Sequence, residues 1–500
     1  MADASIPEPL DLLIIGAGVT GIGAACQFQQ RCPGKTYAIL ERRESVGGTW
    51  DLFRYPGIRS DSDMMTFGYG FRPWAEPQIL AAGGAIQSYV RETAESHGVT
   101  PQIRFGRKVV SANFCSDTAL WTVRVEHNGA SETYTARFLF ACTGYYNYDQ
   151  GFRPRFKGED SFQGRIVHPQ HWPKDLDYAG KRVVVIGSGA TAITLVPTMA
   201  DGGAAHVTML QRTPGYLFSI PAFDRVSEVM KKVMPERWVY RITRARNIQF
   251  QQFMYGLARK RPKAMRRLLL SLVKRQLEGH SDMRHFTPSY APWDQRLCIV
   301  PNGDIFRVIR EGKASVATDT IDTFTKEGVR LSSGEEIKAD LIVTATGLDL
   351  QMLGGMTVSV DGKPYEPGKH LMYKATMLEG LPNAAMCFGY INASWTLKAD
   401  IAAEYVCRLI AHMHAQGLDM AVPVADESER TNDTMLGKLN SGYIQRAAHL
   451  LPRQGKSEVW QVAHDYAFDR KLLQQMPIDD GVLQLRKVAT APARPVSKAA

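Results

Sequence analysis

The chain has 500 residues, which is too long for one hydrophobic core and predicts two or three domains. Hydrophobic residues make up 44% and charged residues 22%, as in ordinary globular proteins, and the net charge is +10. A basic excess is compatible with nucleic acid, a membrane surface or anionic cofactors. Because no nucleic-acid-binding signature accompanies it, we interpret it mainly as a solvated surface and expect no nucleic acid partner.

Cysteine content and hydropathy argue against several further classes. The seven cysteines include no C-x-x-C pair, so we predict no disulfide framework, no metal site and no dithiol active site. The N-terminal residues lack the basic and apolar regions of a signal peptide. No run of about 18 apolar residues predicts a membrane-spanning helix. We therefore expect a cytoplasmic protein.

The first predicted unit is a strand, a glycine turn, a helix and a second strand within residues 10–40. The apolar run Leu12–Ile15 predicts the first strand, and Gly16–Gly21 follows it as a GxGxxG turn. The helix is predicted to continue to about residue 31, and Tyr37–Leu40 forms the next strand. This order is typical of a parallel-sheet nucleotide-binding domain.

The residues of this turn and of the second strand's end indicate a nucleotide with a free ribose. Gly16 permits the tight turn, Gly18 admits a pyrophosphate to the backbone, and Gly21 allows the helix to pack on the strand. The helix N-terminus attracts phosphate. Glu41 is placed to accept hydrogen bonds from a ribose diol. The basic pair Arg42–Arg43 leaves a 2′-phosphate there open on charge alone.

The loop of residues 47–61, GGTWDLFRYPGIRSD, combines paired glycines, aromatic residues and charges. Paired glycines allow a backbone to lie against a flat ring or a phosphate. Trp50 supplies aromatic surface, and Arg59 and Asp61 place opposite charges in the loop. We predict a shaped binding site here rather than a solvated surface loop.

Two short apolar strands end in a small-residue turn, and their similarity is informative. They are Phe138–Gly144 and Leu341–Gly347. Each ends where the chain would leave one nucleotide domain for the other. We interpret them as candidate crossover hinges, which is compatible with their also being core strands.

A second strand–turn–helix–strand unit is predicted within residues 181–212. The strands are Arg182–Ile186 and Val207–Leu210, and the helix between them reaches about residue 200. The turn Gly187–Ala192 is a GxGxxA variant, with alanine at the helix-packing position. Two such units in one chain predict two nucleotide-binding domains.

The end of this second unit carries no acidic residue. Gln211 and Arg212 stand where an acid would bind a free 2′-hydroxyl and repel a 2′-phosphate. An arginine can clamp that phosphate with two charge-assisted hydrogen bonds. The second nucleotide is therefore predicted to be NADPH rather than NADH, the alternative being that Arg212 caps a surface turn.

Residues 221–290 predict a basic helical insertion. Apolar residues recur at helical spacing at Met265, Leu268, Leu269, Leu272, Val273 and Leu277. Basic residues lie between them, so a membrane-surface helix is an open alternative. We favour a helical layer packed on its own domain, with at most weak peripheral membrane contact.

The predicted fold is therefore α/β, with two Rossmann-like dinucleotide-binding domains and a helical insertion in the second. The chain is expected to divide as follows: residues 1–145 and 347–488 in the FAD-binding domain, 146–220 and 291–346 in the NADP-binding domain, 221–290 in the insertion, and 489–500 in a disordered tail.

Between the two units the chain reads Phe162–Lys174, FQGRIVHPQHWPK, which resembles the fingerprint F-x-G-x-x-x-H-x-x-x-W-P-[D/E] of Baeyer–Villiger monooxygenases. It departs from the pattern at Lys174, which replaces an acid. The loop of residues 47–61 resembles the family's second fingerprint. The chain is thus similar over nearly its whole length to class B flavoprotein monooxygenases, and most of all to the ethionamide-activating subgroup.

The resemblance implies two sets of cofactor contacts. FAD contacts fall on the first glycine turn and the loop after it: Gly16, Gly18, Thr20, Gly21, Glu41, Gly48, Thr49, Trp50, Asp51, Leu52, Asp61 and Val109. NADPH contacts fall on Arg59, Ser60, Asp61, Gly187, Ser188, Gly189, Ala190, Thr191, Ala192, Ile193, Gln211 and Arg212. Many relatives place a lysine where this chain has Gln295, so NADP selectivity should depend more on Arg212.

The resemblance also implies an activity: NADPH- and O₂-dependent oxygenation of a small ketone to an ester or lactone, and of sulfides and thioamides, through a flavin C4a-peroxide. Arg296 falls on the catalytic arginine that keeps the peroxide anionic, and Asp61 could hold Arg296 in place. For His168 we expect a structural or conformational role, with direct proton transfer as the less favoured alternative. The alternative activity is that of an N- or S-hydroxylating flavin monooxygenase without Baeyer–Villiger chemistry, which the Lys174 departure leaves open.

Overall fold

A computed structural model describes residues 8–295, 297–437, 439 and 441–488. The predictions for Arg296 and for the tail 489–500 lie outside the described residues. The strands are β1 (Leu10–Ile15), β2 (Tyr37–Leu40), β3 (Ile103–Arg104), β4 (Lys108–Cys115), β5 (Leu120–His127), β6 (Ala130–Ala141), β7 (Tyr146–Gly151), β8 (Arg165–Val167), β9 (Arg182–Ile186), β10 (His206–Gln211), β11 (Leu217–Ile220), β12 (Cys298–Pro301), β13 (Ala314–Thr318), β14 (Ile321–Thr325), β15 (Gly328–Leu331), β16 (Glu336–Lys338), β17 (Leu341–Thr344), β18 (Leu348–Leu350), β19 (Thr357–Val360), β20 (Lys363–Tyr365), β21 (Met372–Tyr373), β22 (Met377–Leu378), β23 (Ala384–Met386), β24 (Met420–Pro423) and β25 (Leu483–Arg486). The α-helices are α1 (Val19–Arg31), α2 (Thr49–Leu52), α3 (Met64–Phe67), α4 (Gly83–Ser96), α5 (Ala190–Asp201), α6 (Arg225–Lys231), α7 (Glu236–Lys260), α8 (Pro262–Leu277), α9 (Asp304–Arg310), α10 (Trp395–Ala415), α11 (Gly442–Ala447) and α12 (Tyr466–Arg470).

The larger sheet carries the first glycine turn. Its strand order is β20-β19-β4-β5-β6-β1-β2-β3, with β23 beside β6. Strand β1 is parallel to both β2 and β6, and its last four residues are buried because helices and strands cover both faces. Helices α1 and α10 pack against each other on one face. The first predicted βαβ unit is therefore confirmed, with strand β1 beginning two residues earlier than expected.

The smaller sheet carries the second glycine turn. Its order is β13-β10-β9-β17-β8, and all of its pairs are parallel. Helices α5 and α9 pack on it through their apolar faces. The predicted α/β fold with two dinucleotide-binding domains is confirmed. The domain limits given above stay a prediction.

The two chain segments after the predicted crossover strands form a ribbon of their own. Strand β7 follows Gly144, strand β18 follows Gly347, and the two pair antiparallel. The imidazole of His168 packs against Gly151, where a Cβ atom would overlap the ring. This position beside the crossover ribbon agrees with the structural role expected for His168.

The helical insertion consists of helices α6, α7 and α8. Met265, Leu269, Val273 and Leu277 of α8 are buried, as expected for a helix packed on its own domain. Leu268 differs from the expectation: 45% of its surface is exposed, because the buried stripe of this helix is narrower than the run of apolar residues in the sequence. Within the described residues no helix is long and apolar enough to cross a membrane.

Candidate functional site

Both glycine turns open into one cavity of about 1880 Å³. This volume is well above the roughly 300–1,000 Å³ of a pocket for one drug-sized ligand. Eighteen of the residues predicted to bind cofactors line it: Gly16, Gly18, Thr20, Glu41, Gly48, Thr49, Trp50, Arg59, Ser60, Asp61, Val109, Gly187, Ser188, Gly189, Ala190, Thr191, Gln211 and Arg212. The cavity therefore has room for two nucleotides that meet.

The first turn places the N-terminus of α1 at the cavity. Gly16 has φ +102°, and a Cβ atom there would lie 2.7 Å from the carbonyl oxygen of Cys142 at the end of β6. Gly21 does not line the cavity: its missing side chain allows α1 to pack directly on the Gly16 carbonyl. Helix α1 begins at Val19, directly after Gly18, and no side chain caps it, so its first N–H groups lie at the cavity and suit a phosphate.

Glu41 directly follows β2 and is buried beside the turn. Its carboxylate accepts hydrogen bonds from the backbone N–H of Ala17 at 2.7 Å and of Arg43 at 2.8 Å. Burial raises the pKa of Glu41, while these two bonds and the nearby arginines lower it. A carboxylate has about four acceptor positions, so the two backbone bonds leave capacity for a ribose diol.

The loop after Glu41 approaches the turn through glycine. A Cβ atom at Gly48 would lie 3.1 Å from the Cα atom of Gly18, so backbone faces backbone across this part of the cavity. Trp50 lines the cavity and packs edge-on against Phe67, with ring centroids 5.8 Å apart. This arrangement offers flat and small surfaces that suit an aromatic ring system.

Asp51 and Leu52 of the same loop lie away from the cavity. Asp51 is buried and pairs with Arg43 at 2.6 Å and with Arg54 at 2.5 Å. Leu52 packs into the apolar core of the smaller sheet. In this arrangement the two side chains fix the loop that carries Thr49 and Trp50, and their contact with FAD stays a prediction.

The second turn repeats the geometry of the first. Gly187 has φ +140°, and a Cβ atom there would overlap the carbonyl oxygen of Ala345 after β17. At Gly189, which caps α5, a Cβ atom would meet nothing within 4 Å, so the backbone is open to a pyrophosphate. Ala192 and Ile193 are buried in the core and do not line the cavity.

Gln211 and Arg212 end the second unit in different environments. Gln211 is buried, and its amide nitrogen donates to the carbonyl of His285 at 2.7 Å and to Thr318 Oγ1 at 2.9 Å. Arg212 is exposed and lines the cavity. Since the amide N–H groups of Gln211 are already bonded to the protein, recognition of a 2′-phosphate would depend on Arg212.

Arg59, Ser60 and Asp61 lie between the two turns and line the cavity. Arg59 Nη1 donates to Asp304 at 2.6 Å, and its buried Nη2 has no acceptor among the described residues. Ser60 is buried and its hydroxyl donates to the carbonyl of Ser62 at 2.7 Å. A guanidinium with an unused buried donor suits the phosphates of a bound nucleotide.

An aromatic cluster lines the part of the cavity next to the first glycine turn, and it includes Trp395, which the sequence suggested as a cover for the flavin. Trp395 Nε1 donates to Thr20 Oγ1 at 2.8 Å, and its ring stacks on Tyr145 at 5.3 Å. Tyr148 lies over Gly48, and burial raises its pKa to about 12. The run of tyrosines directly after the crossover strand was the signal for these two phenols.

The insertion is held against the larger domain by Arg244 on α7. Its Nη1 donates to the carbonyl oxygens of Met65 at 2.9 Å, Thr66 at 3.1 Å and Gly68 at 2.7 Å. Its Nη2 lies 3.4 Å from Asp400 on α10. Burial raises the pKa of Asp400 to about 6, and Arg244 lowers it. One cation therefore joins the insertion to three backbone carbonyls and a buried carboxyl.

We expect Arg244→Gln to destabilise the protein by about 3 kcal/mol or more, because removing one partner leaves a buried charge uncompensated. The pKa of Asp400 is raised on folding, so its contribution to stability falls as the pH rises from about 4 to about 6. Without Arg244 this pKa should rise further. The fall in melting temperature should therefore be larger at pH 8 than at pH 5.

The exposed Arg237 on the same helix provides the matched control. Arg237→Gln should melt within the error of the wild type at both pH values, and proteolysis of α7 should increase in Arg244→Gln alone. Equal effects of the two substitutions would contradict the role given to Arg244.

Comparison with known proteins agrees with this geometry. The model of a family described as flavin-binding monooxygenase-like matches residues 11–347. The chain is 54% identical over 481 residues to the probable FAD-binding monooxygenase AlmA of Acinetobacter sp, covering 96% of this chain and 97% of that protein. The chain belongs to the flavin-binding monooxygenase-like family. The family prediction and the prediction of a flavoprotein are therefore confirmed.

Two further relatives of this chain come from Mycobacterium tuberculosis. The putative FAD-containing monooxygenase MymA is 54% identical over 487 residues, and the FAD-containing monooxygenase EthA is 50% identical over 484 residues. Each alignment covers 96% of this chain and 98% of the relative. The predicted similarity to the ethionamide-activating subgroup is confirmed by this identity.

Solved structures support the fold. A steroid monooxygenase bound to NADP has a TM-score of 0.77 at 21% identity, covering 96% of this chain and 100% of its own. OTEMO in complex with FAD and NADP has a TM-score of 0.69 at 24% identity, covering 83% and 88%. Cyclohexanone monooxygenase has a TM-score of 0.75 at 19% identity, covering 96% and 100%. The predicted FAD and NADP agree with the cofactors named for these relatives and structures.

Proposed function

We propose that this flavin monooxygenase uses FAD and NADPH to insert one oxygen atom of O₂ into a ketone, giving an ester or lactone. The other oxygen atom leaves as water, and NADPH supplies the two electrons, so that ketone, O₂, NADPH and a proton give ester, NADP⁺ and water. Sulfides and thioamides are proposed as further substrates at the same site.

The observation that carries the proposal is the single cavity that receives both glycine turns. Two nucleotides bound at the two turns would extend toward each other in this space. A bound FAD would supply the redox chemistry of the site, taking electrons from NADPH and passing them to O₂. The aromatic side chains of Tyr145, Tyr148 and Trp395 line this end of the cavity, which favours the exclusion of water from the reacting atoms.

The residues have separate proposed roles. Glu41 holds the ribose of FAD, and the N-termini of α1 and α5 hold the two pyrophosphates. Arg212 holds the 2′-phosphate of NADPH. Arg296, which follows the cavity-lining residue Gln295, is proposed to stabilise negative charge on the reacting oxygen, with Asp61 as a further charged residue of the site.

The test is product analysis with the purified holoenzyme, NADPH and ¹⁸O₂. A simple methyl ketone should give an ester carrying one ¹⁸O atom, and an aryl methyl sulfide should give a labelled sulfoxide. NADPH consumption without either labelled product would contradict oxygenation.

Labelled sulfoxide without ester would instead support the alternative, a flavin monooxygenase that hydroxylates nitrogen or sulfur only. The feature that kept this alternative open is Lys174 at the end of the fingerprint. Lys174 is exposed and does not line the cavity. This departure from the family pattern therefore leaves the proposed site unchanged, and we favour Baeyer–Villiger chemistry.

A further inference from the structure

The helical insertion concentrates exposed apolar side chains. In the described part of the chain, eleven large hydrophobic residues are exposed, and nine of them lie between residues 223 and 268: Phe223, Val226, Val229, Val233, Trp238, Ile242, Phe250, Phe253 and Leu268. Single exposed apolar residues need no explanation, but a cluster of this size marks a surface that another apolar phase covers. We call these nine residues the apolar patch.

The members of the apolar patch form stripes rather than a random scatter. Val226, Val229 and Val233 recur at spacings of three and four along α6 and the turn that follows it. On α7, Trp238, Ile242 and Phe253 fall within an arc of about 60° at 100° per residue. The two helices pack against each other, since Ser227 Oγ lies 2.8 Å from Thr243 Oγ1. The stripes are therefore neighbours on one part of the surface.

The same segment carries the whole basic excess of the chain. Residues 221–277 contain fifteen lysines and arginines against three acidic residues, leaving forty-five basic and forty-seven acidic residues in the rest of the chain. Several of these cations are exposed beside the apolar patch, among them Lys232, Arg237 and Arg241. Arg241 lies over the Trp238 ring, 5.6 Å from its centroid. Exposed apolar residues interleaved with cations are typical of a helix that lies in a membrane interface.

The apolar patch also reaches the mouth of the cavity. Phe223, Val226 and Phe250 are each about half exposed and at the same time line the cavity. Further apolar side chains of the insertion line the cavity, namely Met254, Met265 and Leu269, beside polar ones such as Arg246, Asn247 and Gln251. An apolar molecule could thus pass from the covering phase into the cavity without crossing bulk water.

The charge of the insertion distinguishes among the candidate occupants of the patch. A symmetric dimer through this surface would bring the same basic segment against itself, and the cations would repel. Nucleic acid would match the charge but would leave the valine and phenylalanine side chains exposed. An anionic bilayer matches both features, because its headgroups attract the cations and its acyl region accepts the apolar side chains.

We propose that helices α6 and α7 dock the enzyme on an anionic lipid bilayer, and that the cavity takes an apolar, lipid-dissolved substrate through the Phe223–Val226–Phe250 mouth. The second part rests on the proposed function, because it names the substrate class of that site. The docking itself does not depend on turnover.

The test of docking is co-sedimentation of the holoenzyme with vesicles of phosphatidylcholine alone or mixed with phosphatidylglycerol. Binding should require the anionic lipid and weaken as the ionic strength rises. The variant Lys232→Gln/Arg237→Gln/Arg241→Gln should bind about 100-fold more weakly, because each cation contributes about a fivefold increase in binding. The variant Val229→Ser/Val233→Ser/Phe253→Ser should lose at least about tenfold.

Matched controls lie elsewhere on the surface. Val424→Ser/Leu450→Ser changes two large exposed apolar residues outside the insertion, and Arg137→Gln/Lys326→Gln/Lys363→Gln changes three exposed cations elsewhere in the chain. Both controls should bind vesicles like the wild type. Equal binding to neutral and anionic vesicles, or equal loss in the controls, would overturn the proposal. So would self-association that only the valine and phenylalanine variant abolishes, because it would identify a second copy as the occupant.

The substrate class is tested with a short-chain ketone in water and a long-chain ketone dissolved in the vesicles. In the two insertion variants, kcat/KM for the vesicle-borne ketone should fall in parallel with vesicle binding, while the water-soluble ketone should be oxygenated as by the wild type. An unchanged kcat/KM for the long-chain ketone would overturn delivery from the bilayer. If the wild type oxygenates neither ketone, the proposed function fails while the docking result stands by itself.

Discussion

Replacement of Arg296 by alanine is expected to lower ketone oxygenation by at least about 100- to 1,000-fold, the loss that follows removal of one preorganised donor to a developing negative charge. NADPH oxidation should continue, with hydrogen peroxide as the product. The physical reason is that a guanidinium stays protonated and can stabilise an anionic oxygen without quenching it. The measurement is the ratio of ester formed to NADPH consumed.

The neighbouring Gln295 gives the control, since it lines the cavity and carries no charge. Gln295→Ala should keep the ratio of ester to NADPH within a few-fold of the wild type. Arg296→Lys should recover part of the lost product, because it restores the charge but not the planar pair of donors. Normal ester formation by Arg296→Ala would remove Arg296 from the reaction.

Replacement of Arg212 by alanine is expected to lower kcat/KM for NADPH by about 10- to 100-fold, the value of a charge-assisted hydrogen bond. The kcat/KM for NADH should change by less than about threefold, because NADH lacks the 2′-phosphate that the Arg212 guanidinium would hold. Gln211 cannot take over this task, because its amide N–H groups already donate to His285 and Thr318. Steady-state kinetics with both nucleotides measures the effect.

Arg42 is the matched control for Arg212, because it occupies the corresponding position after the first unit and also lines the cavity. It pairs with Asp149 in this structure. Arg42→Ala should leave the preference for NADPH unchanged if the first turn binds FAD. A loss of NADPH preference in Arg42→Ala instead of Arg212→Ala would exchange the two nucleotide assignments.

Local sequence determined the parts of this protein that depend on short stretches of chain. The turns at Gly16 and Gly187 were predictable because a positive φ and a missing Cβ are properties of single residues. The flanking strands and the helix C-termini followed from apolar periodicity and lie within two residues of their predicted bounds, whereas the helices begin inside the predicted turns, at Val19 and Ala190. Glu41 and Arg212 were found because each directly follows its strand.

Contacts between distant segments were decided by tertiary structure alone. The pairing of β7 with β18 joins segments about two hundred residues apart, and nothing in either segment specifies the other. The same holds for Arg244, which looks like any cation of a basic helix until α7 packs against Gly68 and Asp400. Tertiary structure also decides the direction of neighbouring side chains. Asp51 pairs with Arg43, while the adjacent Trp50 lines the cavity.

In the helical insertion, sequence and tertiary structure determine different properties of the same helices. From the sequence, its apolar residues indicated a helical layer packed on its own domain, and α8 satisfies that expectation at four positions. The exposed residues of α6 and α7 could not be distinguished from core residues by spacing, because periodicity reports which side chains share a face and not what that face meets. Only the packed structure shows that one apolar face is buried and that another remains on the surface at the mouth of the cavity, because the burial of a side chain is decided by the segments that pack around it.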